Sequence, residues 1–329
     1  MHQVKAPQMQ SSSRVSGSRL PKRFRDRLRL PIIAAPMLHV SGPDLVVAAC
    51  RAGVIGAFPT MNPRVLHADG GLEGWLSDIR RRLSENPGAS GPVCPNLIMR
   101  ADDLDDHVDT ILRHGVEMVI TSVGSPKPIM ARLKEAGVFV FADVATVEHA
   151  RKALDVGVDG LVLLTAGAGG QTGWLNPFAY TRAIREIFNG PLVLAGGISD
   201  GVALRAAEML GCDLAYMGTR FIAARESLAT AEYREMLVRS SIDDIVLTKA
   251  FNGLWGSYLR PSIVAAGLDP DRLDDSIPAD EAKQRYGSRS KGPRRWTGIL
   301  SAGHSVSGVR AVQTVAEIVD QTLQEYEAA

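Results

Sequence analysis

No stretch of this 329-residue sequence approaches the roughly 20 consecutive apolar residues of a membrane-spanning helix, so no span is expected. The first 29 residues also lack the 7-to-15-residue hydrophobic run of a secretory signal. Cysteine is scarce. Cys50, Cys94 and Cys212 are odd in number, widely scattered and without a C-x-x-C pair, which argues against a disulfide framework. A reducing, cytoplasmic setting is expected, and no metal site. Charge of one sign is lacking too: the formal net charge is +1, giving no overall field for nucleic acid or a membrane surface. The one asymmetry lies ahead of Leu30, where eight basic residues face a single acid, Asp26. Residues 1–29 are therefore expected to form a basic, flexible extension.

The sequence does have core-forming material, 45% hydrophobic residues, arranged in a rhythm. From residue 31 short apolar runs alternate with amphipathic stretches: "PIIAAPM", "VIGAF", "VCPNLI", "EMVITS", "VFVFADV", "GLVLLTA", "LVLAGG" and "LAYMG". These runs are apolar on successive residues, as strands buried on both faces must be. Helical patterns separate most of them, for example over 44–52, 104–114, 128–136 and 147–156. Eight such strands predict an α/β fold, a (β/α)₈ barrel over residues 30–225. A dinucleotide-binding fold would need an early G-x-G-x-x-G, and "PIIAAPMLHVSG" does not supply it. Residues 226–300 read as a smaller, partly helical cap, and 301–329 as a segment and helix returning to the barrel.

Barrel sites are built from the loops that follow the strands. After the seventh and eighth strands stand "AGGIS" and "MGTRF", where Gly196, Gly197, Gly218 and Thr219 offer bare amides and one hydroxyl as a phosphate cradle. The competing reading of Gly196 and Gly197 is a tight strand-to-helix turn. Ala35 and Pro36 in "AAPM" are small enough to lie beneath a ligand. Met37 is as well read as a core filler, and Asn96 as a turn residue or a donor and acceptor. Asp143 ends the fifth strand, where a ligand contact, a helix cap or a Lys127 partner are all open. Ser122 and Ser125 sit in a turn-rich "TSVGSPKP". Trp174, Trp255 and Tyr258 are candidates for a pocket wall or for core, and Lys249 and Arg260 for solvated surface. The loop "TAGAGGQTG" carries four glycines and one amide, Gln171, and no titratable side chain.

In this order, "PIIAAPM", "PNLI", "TSVGSPKP", "ADVATVEHA", "TAGAGGQTG", "LAGGI" and "MGTRF" resemble the nitronate monooxygenase family, formerly 2-nitropropane dioxygenases. The resemblance runs from about Leu30 to Arg225, with a looser echo in "WTGILSAGHSVSG". It implies an FMN-dependent (β/α)₈ oxidoreductase. Ala35, Pro36 and Met37 would then lie at the isoalloxazine ring, Asn96 near the ring or ribityl chain, and Gly170 and Gly173 along the glycine-rich loop. The cradle would hold the FMN phosphate, and Asp143 is included as a cofactor contact.

Many relatives read GAGGHxG here, with the His as general base toward a nitroalkane. Gln171 stands in its place and cannot accept that proton near neutrality. Three consequences are open: a substrate that arrives as the nitronate, another base such as His304 or His39, or hydride exchange with Gln171 only orienting substrate. The expected activity is oxidation of alkyl nitronates or a related small carbon acid with O2, with Gln171 and His304 as candidate catalytic residues. The alternatives are a flavin-dependent NAD(P)H:quinone or enoyl reductase, a catalytically silent ligand-binding barrel, and a flavin-free phosphosugar barrel. A homodimer is compatible with each.

Overall fold

The computed structural model describes residues 18–329 except 86, 87, 89, 288, 289 and 291. Eight parallel strands close a barrel: β1 (Ile32–Ala34), β2 (Ile55–Pro59), β3 (Val93–Ile98), β4 (Met118–Ser122), β5 (Phe139–Val144), β6 (Gly160–Leu164), β8 (Leu192–Ala195) and β9 (Leu214–Met217). β7 (Gly170–Gln171) belongs instead to a small antiparallel sheet with β10 (Ile245–Thr248) and β11 (Gly256–Leu259). Each of the eight runs expected from the sequence overlaps one barrel strand. β9 pairs with β1 through Ile32–Ala215 and Ala34–Met217, closing the ring.

Strand side chains alternate between the two faces, and the core divides accordingly. One cluster fills the barrel and includes Ile33, Ile55, Cys94, Ile120, Phe141 and Val193. The intervening residues, such as Ala34, Leu97, Val119, Val140 and Leu161, join the cluster beneath the surrounding helices. Because both faces are buried, no polar–apolar alternation appears in the sequence, only continuous apolar runs.

The N-terminal expectation needs correction from residue 18 onward. Leu20 and Phe24 are buried within the barrel-filling cluster, and Phe24 meets Phe139 edge-on at 5.6 Å. The basic residues around them act as latches: Arg27 pairs with Glu117 at 2.6 Å, Arg29 with Asp320 at 2.5 Å, and Arg23 donates to the Gly137 carbonyl. A barrel end exposes apolar interior, and this short segment covers it. The remainder of the expected extension, residues 1–17, lies outside the described residues.

The helix Val315–Ala328 returns to the barrel. It runs so close to Gly201, at the start of the helix Gly201–Leu210, that a Cβ on Gly201 would overlap the Tyr326 amide nitrogen. Asp200 caps that helix through the Ala203 N–H at 2.8 Å, as its place in "SDG" suggests. The cap between β9 and that C-terminal segment has its own small core of Phe251, Tyr258, Ile263 and Ile299. No helix among the described residues is long and apolar enough to cross a membrane.

Candidate active site

The inward rows of the strands run upward from the barrel core and end in a cavity of about 300 Å³ at the C-terminal face. Its floor continues the interior series by one step of two residues: Asn96 after Cys94, Ser122 after Ile120, Asp143 after Phe141 and Tyr216 after Leu214. Ala35, Pro36 and Met37 line the β1 side, and Leu164 and Ala195 complete the ring. Strand periodicity thus converts an apolar interior into a polar rim at one level.

Gly196 and Gly197 adopt φ of 129° and 75°, in the region that side chains disfavour. The two glycines serve different ends. A Cβ on Gly196 would lie 2.5 Å from Thr165 Oγ1, so that glycine lets β8 approach the loop after β6. A Cβ on Gly197 would meet nothing within 4 Å, so that position borders open space. Across from them, Thr219 Oγ1 accepts a hydrogen bond from the Gly303 N–H at 2.9 Å, leaving its own proton to donate. Gly196, Gly197, Gly218 and Thr219 all border the cavity.

The glycine-rich loop is a junction of three segments. Gly169 presses on the Gly303 amide, and Gly167 (φ 87°) lies against the His304 ring. Gly170 (φ 66°) and Gln171 then pair with Ser257 and Gly256 of the cap. This pairing fixes the backbone of Gln171, whose exposed side chain borders the cavity. Gly173 does not border it. A Cβ there would overlap the Leu164 carbonyl, so Gly173 is a packing glycine rather than part of the cavity wall.

His304 is likewise set apart. Its N–H donates to the Gly167 carbonyl at 2.9 Å and the exposed residue's ring lies against Gly167 without lining the cavity, while Ser301 and Ser305 on the same segment reach it. His39 holds a left-handed φ of 61° and donates its N–H to Asn62 Oδ1 at 3.1 Å; burial lowers its pKa. Its neighbours Leu38 and Val40 line the cavity in its stead.

Asn96 is buried and forms an amide–hydroxyl pair with Ser122 at 3.1 Å, and also donates to the Ile120 carbonyl. Asp143 neither caps a helix nor pairs with Lys127. The following helix is capped by Thr146, and Asp143 Oδ1 is buried without a partner among the described residues. Burial pushes its carboxyl up to about 7. Ser301 Oγ is a second buried, unpartnered atom at the cavity, beside the backbone carbonyl that accepts from Tyr233 Oη. Unsatisfied buried polar atoms are uncommon in native proteins, and two bordering one cavity mark places where a ligand's polar groups fit.

Sequence reasoning missed Tyr216, Ser301 and Trp296. Tyr216 was accessible through its spacing, two residues before Gly218 in "LAYMG". Trp296 carries no such signal: it reaches the cavity by stacking on Tyr258 at 5.6 Å inside the cap. Of the aromatics singled out, Tyr258 is cap core, while Trp174 and Trp255 are exposed and do not line the cavity. Lys249 lies over the Trp255 ring at 4.7 Å, and Arg260 pairs with Asp271 at 3.0 Å.

The family profile of nitronate monooxygenase matches residues 95–325, which span β3 to the C-terminal helix and carry most of this cavity. The chain belongs to the nitronate monooxygenase family. Among its relatives is a nitronate monooxygenase of Paraburkholderia phytofirmans, 29% identical over 73% of this chain and 76% of that protein. Another is the (3aS,4S,5R,7aS)-5-hydroxy-7a-methyl-1-oxo-octahydro-1H-indene-4-carboxyl-CoA dehydrogenase of Mycobacterium tuberculosis, 28% identical over 71% of this chain. The match spans 64% of that dehydrogenase's length. Among solved structures, FabK from Thermotoga maritima superimposes with a TM-score of 0.76 at 26% identity, covering 93% of this chain and 96% of that one. Nitroalkane oxidase from Streptomyces ansochromogenes shares the fold, with a TM-score of 0.71 at 24% identity over 92% and 97% of the two chains. Family membership makes the chain an oxidoreductase and accords with the closed barrel.

Proposed function

We propose that this chain is an FMN-dependent oxidoreductase that oxidises alkyl nitronates or a related small carbon acid, with O2 as acceptor. The observation that carries the reading is the open space beside Gly197, bordered also by Gly196, Gly218 and Thr219. These groups are donors without a cationic or acidic competitor of their own, which suits the terminal phosphate of a mononucleotide. The polar floor fits the remainder of such a cofactor, since Asp143 Oδ1 and Ser301 Oγ stand there unpartnered. Bound there, FMN would supply reversible electron acceptance from carbon and transfer to O2.

The chain's own contribution is binding and orientation. Backbone amides at the ends of β8 and β9 hold the phosphate. Ala35 and Pro36 present small side chains to the cavity where β1 ends. Gln171, fixed by the cap sheet, donates its amide N–H to an oxygen of an anionic substrate. Its lack of a titratable proton favours a nitronate that arrives already ionised over a neutral nitroalkane. His304 packs against Gly167 and does not line the cavity, which weighs against it as a replacement base.

A second reading, favoured by the CoA-thioester dehydrogenase among the relatives, is hydride exchange with a nicotinamide, a quinone or an enoyl or acyl thioester. Anaerobic mixing of the FMN-loaded protein with propionate-3-nitronate, NADH and NADPH in turn distinguishes the two. Bleaching of the flavin by the nitronate alone is the expected result. Bleaching by a reduced nicotinamide with none by the nitronate sinks the monooxygenase reading in favour of the second. A flavin that no donor bleaches leaves a silent binding barrel.

A further inference from the structure

Asp143 is the acid that the inward row of β5 carries into the cavity floor, following Phe139 and Phe141. A carboxylate there would need a cation or several N–H donors, and among the described residues Oδ1 has neither. Oδ1 is buried without a partner. Among the described residues, the titratable groups that bear on it electrostatically are Cys94 on β3 and Tyr216 on β9. Burial raises both of these above their ordinary values, so each is neutral near pH 7 and neither offers a counter-charge. Asn96 and Ser122 on β3 and β4 are neutral and bonded to each other, and Leu164 on β6 is apolar. A carboxyl in such surroundings holds its proton more strongly than one in water. In the neutral form it gains a hydrogen-bond donor that an ionised carboxylate lacks.

We propose that Asp143 works as a neutral acid, donating its proton in a hydrogen bond to a carbonyl oxygen or unprotonated ring nitrogen of the bound flavin, so that cofactor binding is linked to a proton. This inference rests on the FMN reading above and names what the floor does within it. A flavin ring carries acceptor atoms of that kind along one edge. An ionised Asp143 facing those acceptors would set negative charge against them; only the ring's single N–H, between the two carbonyls, could donate to it.

The direction of the linkage follows. The folded, ligand-free carboxyl titrates at about 7. A ligand that prefers the protonated form raises that value further on binding. Affinity is therefore full below about pH 6 and declines as pH rises through 7, with a proton taken up on binding above 7.

The experiment is FMN titration of the apo-protein, followed by flavin fluorescence, at several values from about pH 6 to about pH 8.5, for wild type, Asp143→Asn and Asp143→Leu. The FMN phosphate itself titrates near the acid end of this range, so the readout is the ratio of wild-type to Asp143→Asn dissociation constants at each pH. An amide keeps a donor at every pH. The ratio is expected to rise by about tenfold or more across the range, with Asp143→Leu binding weakly throughout. A ratio that stays flat within about twofold overturns the proposal. Absence of FMN binding by all three proteins at every pH overturns the flavin reading itself and this inference with it, a result distinct from a flat ratio.

A second measurement needs no variant. Calorimetry of FMN binding to wild type at about pH 8, in two buffers of different ionisation enthalpy, is expected to show uptake approaching one proton. Zero uptake, or release, overturns the proposal even where the variants do not fold.

Discussion

Gly197→Asp is expected to give a folded protein that binds FMN about a thousandfold more weakly than wild type. The fold survives because a Cβ at Gly197 meets no atom within 4 Å, so the new side chain enters open space. The left-handed φ of 75° costs a non-glycine residue about 1–2 kcal/mol, and aspartate is among the residues that visit this region most readily. Binding suffers far more. The carboxylate would share the space proposed for a phosphate, and one pair of like charges about 4 Å apart costs roughly 4 kcal/mol at a near-surface dielectric. Gly197→Ala isolates the steric part and is expected to cost about tenfold or less. Fluorescence titration with FMN measures both. Near wild-type affinity in the aspartate variant would remove the phosphate from this loop.

Gln171→His is expected to raise turnover of a neutral nitroalkane by roughly a hundredfold at mildly alkaline pH, while leaving turnover of preformed nitronate within a few fold. The position is suited to the exchange. Register with Gly256 and Ser257 holds the backbone of Gln171, and its side chain borders the cavity without packing into it. An exposed imidazole titrates near 6.5 and is a base above that value, whereas an amide is none at any relevant pH. The gain is confined to the neutral substrate because only that substrate has a proton on carbon to lose. Steady-state rates on the two substrates provide the comparison. No gain on the nitroalkane would indicate that the cavity receives a different substrate, as in the second reading.

Both expectations depend on how far the sequence exposes the site. The barrel was legible because strands buried on both faces must be apolar at nearly every position, and "VFVFADV" or "GLVLLTA" permits little else. The glycines that border the cavity were legible for a related reason: Gly196, Gly197 and Gly218 stand directly after apolar strands, where a missing side chain has to serve a turn or a ligand. Asp143 was legible from its place at the end of the fifth strand, and the row it shares with Phe139 and Phe141 carries it into the cavity lining.

Other features depend on contacts between distant parts of the chain. Gly170 and Gln171 form a strand only because β11, far along the chain, pairs with them, and two residues have no periodicity to read. Gly173 resembles its neighbours in the loop, yet it is glycine because the Leu164 carbonyl leaves no room. His304 follows a motif that points at the cavity, but its ring lies against Gly167 outside the cavity lining, and Ser301 and Ser305 take the wall. The basic residues after Ser18 read as a flexible extension, since nothing local shows that Leu20 and Phe24 between them fill the end of the barrel.

The most direct test compares FMN with riboflavin, which presents the same ring and ribityl chain without the terminal phosphate. Several charge-assisted hydrogen bonds from backbone amides and Thr219 should make FMN bind the apo-protein about a hundredfold or more tightly than riboflavin. Equal affinity for the two, or no binding of either, would contradict a phosphate-gripping cradle at the ends of β8 and β9.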